Sequence, residues 1–216
     1  MLKILGKLFA ITLLVAGLSA CDNPSDNNKP DPQPAPPPMQ APESNAAAPV
    51  EPPAAPEASA HKVMLQQGKI SFMLPDAFSD QTPPDDVNNG ELGKTHLFIN
   101  SDSRQQVVFS VVPPPAGQVL RTNQAGLESL GNDIFASMQG QYQHIKKIRQ
   151  QAVAIGKTPL QRMDNELQVG GQQINSTLFY TVWRKKILTL QINTPASRGD
   201  VHQALIEQVL ASLDFK

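Results

Sequence analysis

Leu160 to Asn193, LQRMDNELQVGGQQINSTLFYTVWRKKILTLQIN, is the stretch whose reading decides the fold. It holds three strand-like runs, Leu160 to Val169, Gln173 to Trp183 and Ile187 to Asn193. The first two are separated by Gly170-Gly171, a dipeptide that favours a tight two-residue hairpin turn because glycine accepts positive φ. Arg184-Lys185-Lys186 separates the second and third and forms another hairpin turn. In the middle run Thr177, Phe179, Thr181 and Trp183 alternate with Leu178, Tyr180 and Val182. Large side chains on both faces predict a strand covered on both sides.

Working outward, Gln151 to Gly156 adds another strand signal on the N-terminal side. Before it, Leu127, Leu130, Ile134, Met138, Tyr142 and Ile145 recur at steps of three and four, with Phe135 beside them. That spacing predicts one helix from near Asn123 towards Lys146, with Gly131 and Gly140 as weak points. Thr95 to Asn100 and Gln106 to Val112 read as a hairpin, stopped by Pro113 to Pro115. Thr82 to Gly93 is a turn-rich loop. Lys69 to Leu74 alternates Ile70, Phe72 and Leu74 against Lys69, Ser71 and Met73 and ends at Pro75. On the C-terminal side, Pro195 precedes a second helix whose buried stripe is Val201, Leu205 and Val209 with Ile206, Leu210 and Leu213. Hairpins interrupted twice by helices predict an α+β fold: an antiparallel β-sheet flanked by helices on both faces.

The rest of the chain is organised differently. Of 20 prolines, 12 fall between Asp22 and Ala60, a stretch with almost no large apolar side chains. Such a segment cannot bury enough surface to offset its ordering. Its PAPPP and VEPPAAPEA runs favour extended polyproline II, so residues 21–61 read as a disordered Pro/Ala-rich tether and 62–216 as the globular domain. Net charge is −1 over 216 residues, which argues against a nucleic-acid binder. The single cysteine excludes an intrachain disulfide framework and any multi-cysteine metal centre.

That cysteine sits at the end of the first segment. Residues 1–20 carry Lys3 and Lys7, then the apolar run Leu8 to Leu18, then small residues, the layout of an export signal peptide. The run is short for a bilayer span, which takes about 20 apolar residues; an uncleaved anchor is the alternative. Leu18-Ser19-Ala20-Cys21 resembles the lipobox of bacterial lipoproteins. A thiol is a strong nucleophile for accepting a diacylglyceryl group as a thioether. Processing leaves Cys21 as the first residue, with S-diacylglycerol on sulfur and an N-palmitoyl group on its amine, enough chains to anchor stably. Asp22 resembles the inner-membrane retention mark of such proteins; otherwise it is an ordinary linker residue. The expected location is the inner membrane, lipid-anchored and facing the periplasm.

Chemistry is sparse. His61, His96, His144 and His202 show no metal-ligand spacing, and no nucleophile elbow, phosphate loop or dinucleotide fingerprint is present. Asp85-Asp86 reads as a solvated turn rather than a calcium site. No catalytic residue, metal or cofactor is assigned. Two basic clusters stand out, Lys146-Lys147-Arg149 and Arg184-Lys185-Lys186. The second is either a solvated turn or a contact surface for anionic headgroups or a partner protein.

The lipobox with Asp22, the run GKISFMLPDAFSD and the C-terminal ILTLQINTPASRGDVHQALIEQVLASLDF together resemble the DcrB family of enterobacterial inner-membrane lipoproteins. The resemblance implies a PsbP-like α/β/α sandwich and a non-enzymatic protein linked to phage adsorption or entry. It transfers roles only to Cys21 and Asp22, and the tether is longer than the family leads one to expect. Two functions follow as expectations. One is a non-enzymatic lipoprotein whose domain binds an envelope protein and supports envelope integrity, with inner-membrane lipids as the anchor's partner and a homodimer open. The other is a periplasmic small-ligand or metal-binding module.

Overall fold

The computed structural model describes residues 59–84 and 93–216. Among them run β1 (Ala60–Leu65), β2 (Ile70–Pro75), β3 (Ser79–Asp80), β4 (Lys94–Asn100), β5 (Gln105–Val112) and α1 (Gln124–Gln139). There follow β6 (His144–Ile155), β7 (Thr158–Val169), β8 (Gln172–Trp183), β9 (Lys186–Pro195), α2 (Gly199–Ser212) and β10 (Asp214–Phe215). The seven-stranded sheet has the order β3-β4-β5-β9-β8-β7-β6, antiparallel throughout, and β1-β2-β10 form a second, small sheet.

The alternation on β8 divides the core as expected. Leu178 and Tyr180 face α1, together with Met163, Leu167 and Ile187, and meet Leu127, Leu130, Ile134 and Met138 of the helix. Phe179 faces the other way, among Phe109, Leu188, Leu190 and Ile192. That side is closed by Leu205, Ile206 and Val209 of α2 and by Ile70, Phe72 and Leu74 of β2. The fold is α+β with a helix on each face, and the small sheet shares the α2 side. Each fully buried side chain of this size contributes about 1.5–3 kcal/mol, so β8 stabilises both layers at once.

Glycine explains two features of α1. A Cβ on Gly131 would collide with the Tyr180 hydroxyl, so the glycine lets that ring reach the helix. Gly140 ends the helix, its N–H shared between the carbonyls of Ala136 (3.3 Å) and Ser137 (3.2 Å). The predicted continuation towards Lys146 is therefore corrected. Tyr142 lies in the following turn, and Ile145 belongs to β6. That strand begins at His144, well before Gln151, and its start was hidden because it is a sheet edge with both faces largely polar. A register shift between Lys147 and Arg149 also breaks its alternation at Ile148. The apolar alternation of Lys69 to Leu74 is β2; β1, β3 and β10 went unread.

Candidate functional site

Leu18, Ser19, Ala20, Cys21 and Asp22 lie outside the described residues, as do Asp85 and Asp86. Within the domain, the densest chemistry is a chain of buried polar side chains between the sheet and the start of α2. On β7, Asp164 accepts hydrogen bonds from Arg162 Nε (2.8 Å) and Arg149 Nε (2.8 Å). Its Oδ1 also accepts from the Thr177 hydroxyl of β8 at 2.7 Å. Because that hydroxyl hydrogen is spent on the carboxylate, the Thr177 oxygen is left to accept from His202 Nε2, 3.1 Å away. His202 then carries its proton on Nε2, and its bare Nδ1 accepts from the Thr194 hydroxyl at 2.8 Å. Thr194 in turn accepts from Gln105 Nε2 at 3.2 Å, and the same amide reaches the Val201 carbonyl. One proton assignment satisfies the whole chain.

The electrostatics agree with that assignment. Burial pushes the Asp164 carboxyl up, but hydrogen bonds from Arg162, Thr177 and Arg149 outweigh it and hold the group below the usual carboxylate range. Burial holds the His202 imidazole neutral, its pKa lowered to about 4 despite the attraction of Asp164. The constellation of hydroxyl, imidazole and carboxylate invites comparison with nucleophilic catalysis, where a base removes the hydroxyl proton. Here Thr177 donates to the carboxylate and receives from the imidazole, the reverse polarity, and both threonines are buried beyond a substrate's reach. The chain acts as a clamp that pins the first turn of α2 across β5, β7, β8 and β9. Sequence reasoning noted only that His202 lacks metal-ligand spacing; neither its place in this chain nor its partners were read.

The α1 face is less complete. Register sets Asn165 beside Ser176, and Ser176 beside Asn193. Gln191 donates to the Ser176 hydroxyl (2.9 Å) and to Asn193 Oδ1 (3.1 Å). Asn165 is buried with neither amide atom partnered. Nearby, burial raises the Tyr142 pKa, and a hydrogen bond with Gln191 opposes the shift. A cavity of about 330 Å³ lies beside the N-terminal half of α1, lined by Gln118, Leu120, Arg121, Leu130 and Asp133 among others.

The basic clusters fare differently. Lys146-Lys147-Arg149 disperses. Lys147 turns onto the Phe135 ring of α1 at 5.1 Å, while Arg149 crosses to the opposite face and Asp164. Arg184 and Lys185 form the β8–β9 turn and Lys186 opens β9, all three exposed. Both turn residues have positive φ, 49° and 61°, and the Arg184 guanidinium lies 4.6 Å from the Trp183 ring centroid. Trp183 is half-buried and packs on the α2-side core. The histidines stay apart, with His61 3.4 Å from Asp76. Among the described residues no group of three potential metal ligands is gathered, and no helix is long and apolar enough to cross a membrane.

Comparison with known proteins fits this architecture. The chain is 23% identical over 211 residues to the inner membrane lipoprotein DcrB of Shigella flexneri, an alignment covering 96% of each chain. The solution structure of cyanobacterial PsbP from Synechocystis sp. PCC 6803 is similar in fold, with a TM-score of 0.57 at 14% identity. That match covers 77% of this chain and 98% of the other. The model of the DcrB family matches residues 70–212, from β2 to the last residue of α2 and well over half the chain. With both helices and every strand of the large sheet inside that match, this chain belongs to the DcrB family.

Proposed function

We propose that the chain is a lipoprotein of the inner membrane whose α+β domain faces the periplasm and binds another envelope component without catalysing a reaction. The observation that carries the reading is the apolar run Leu8 to Leu18 leading into Leu18-Ser19-Ala20-Cys21. Cys21 is the acylated first residue, Asp22 retains the protein in the inner membrane, and residues 21–61 space the domain from the bilayer. Support comes from the Shigella flexneri relative, a named inner membrane lipoprotein aligned over 96% of both chains. The triad-like constellation found among the described residues is a buried clamp of reversed polarity, which favours binding over catalysis. Support of envelope integrity is the resulting role, and phage adsorption or entry is an exploitation of it.

The test is mass spectrometry of the N-terminal peptide from membrane fractions, joined to in-cell crosslinking. A diacylglyceryl and palmitoyl modification on Cys21 in inner-membrane fractions, with a specific crosslinked envelope protein, is expected. An unmodified Cys21, or recovery in the outer membrane, overturns the address; crosslinking without a specific partner overturns the binding role. A second reading, a small-ligand module, is favoured by the unpartnered Asn165 amide. Thermal shift of the purified chain against envelope small molecules decides it, since a flat response across the panel removes that reading.

A further inference from the structure

Two turns of nearly the same backbone geometry flank β8. The β7–β8 turn has φ values of 55° and 81° and is built from Gly170-Gly171. The β8–β9 turn has φ values of 49° and 61° and is built from Arg184-Lys185. Left-handed backbone is disfavoured for residues with a Cβ, and Asn-Gly or Gly-Gly are the usual occupants of such a turn. At one end of β8 the chain therefore uses the residues the geometry prefers. At the other it holds two cations in a strained conformation, the situation in which strain points towards a binding role.

More positive charge gathers at the same end. The β6–β7 turn, Gly156-Lys157, lies on this side of the sheet, because the β7–β8 turn is on the opposite side. A hydrogen bond of 2.6 Å from the Thr181 hydroxyl to the Pro159 carbonyl ties the two hairpin ends together. Lys157, Arg184, Lys185 and Lys186 are all exposed, and none joins a salt bridge among the described residues. Trp183, with Arg184 stacked over it, adds an aromatic ring of the kind that settles at headgroup level. The acids nearest in sequence to β4, Asp85, Asp86 and Glu91, lie outside the described residues.

We infer that this hairpin end is the surface on which the domain rests against the anionic phosphate headgroups of the bilayer that carries it. The inference rests on the lipoprotein reading above. Charge complementarity favours lipid over an apolar protein partner, since the surface presents four separate cations and one half-buried ring. The tether's length permits contact: its 40 or so residues can reach on the order of 100 Å when extended and fold back when not. Each base brought to such a surface strengthens binding about fivefold.

Trp183 is the only tryptophan in the chain and serves as the reporter. The lipidated full-length protein is reconstituted in phosphatidylglycerol-rich or in phosphatidylcholine vesicles that carry headgroup-level quencher lipids. Strong Trp183 quenching in the anionic vesicles is expected, weak quenching in the zwitterionic ones, and loss of the difference at high salt. The double variant Arg184→Asn/Lys185→Gly supplies the turn's preferred residues, so it folds at least as well, and it should lower the docked-to-undocked ratio about 25-fold, two bases at fivefold each. Equal quenching in both vesicles, or a variant that quenches like the parent, overturns the inference. The surface then serves a protein partner or the chain's own acidic tether instead. Cys21 acylation is read by mass on the same sample. Should it be absent, the lipoprotein reading fails separately, and flotation of the same chain and its variant with anionic vesicles still decides the docking.

Discussion

The two faces of the central sheet bury polar side chains in opposite ways. On the α2 face, seven groups from Arg149 to Gln105 form one chain that a single proton assignment links from end to end. On the α1 face, Gln191, Ser176 and Asn193 satisfy one another while Asn165 beside them is left out. A satisfied network in a low-dielectric interior fixes one arrangement, whereas an orphaned amide costs its desolvation. The difference teaches that α2 is held by directional bonds and α1 by shape, through Gly131 and the Tyr180 ring. A buried polar residue is thus a strut on one face and a liability on the other.

The sharpest way to break that contrast is Asp164→Ala. It strands the Arg162 guanidinium, 9% exposed, together with the Thr177 hydroxyl. A loss of about 3–5 kcal/mol is expected from denaturant unfolding, as for a buried ion pair deprived of one partner. Arg149→Ala should cost no more than about 1 kcal/mol, because that side chain is 51% exposed. Equal losses from the two would dissolve the idea of a buried clamp.

Acid tests the same face next. The unfolded chain protonates His202 near pH 6.5 and the folded one only near pH 4, so stability present above 6.5 is lost as pH falls through that window. At about 1.4 kcal/mol per unit the loss reaches roughly 3 kcal/mol. Asp164 stays ionised over this range, its carboxyl held below 3.8, and does not add to the effect. Urea midpoints at pH 7 and pH 4.5 should diverge for the parent and converge for His202→Gln.

On the α1 face, Gly131→Ala should destabilise by about 1–3 kcal/mol, the overpacking range, since the new methyl meets the Tyr180 hydroxyl. Pairing it with Tyr180→Phe in a double-mutant cycle should recover part of the loss; strict additivity would show that the two do not touch. The smallest effect is expected at Asn165. Replacing the orphaned amide with leucine should be neutral or stabilise by up to about 1 kcal/mol. A loss above 2 kcal/mol would mean that Asn165 has a partner, and the two faces would no longer differ.

Much of this architecture was legible beforehand, and the reasons are local. Gly170-Gly171 announced its turn, β8 showed its two-faced alternation, and the stripe from Leu127 to Met138 marked α1. What escaped was either short or non-local. β3 and β10 are two residues each, too brief for any period to emerge. The start of β6 was lost because Tyr142 and Ile145 continue the helical spacing past Gly140 by coincidence. The clamp was invisible for a different reason: Gln105 and Thr194 are 89 residues apart, and only the sheet's register brings them together. No motif encodes such a pairing. The same limit explains why Lys146-Lys147-Arg149 looked like a patch: Lys147 and Arg149, two apart, would share a face on a regular strand, and only the register shift between them sends them to opposite ones.

The small sheet has a mechanical consequence. Whatever precedes Ala60 pulls on β1 at the open end of its hairpin, where Ala60 faces Pro75 and His61 faces Leu74. A load entering there breaks pairs in series, like a zip, rather than shearing them together. β2 is fastened more firmly, by β10 on its other edge and by the 2.9 Å bond from the Met73 amide to Ser212 of α2. β1 is thus a fuse: under tension it peels first and bares Val63 and Leu65, while the sheet that carries the clamp stays whole.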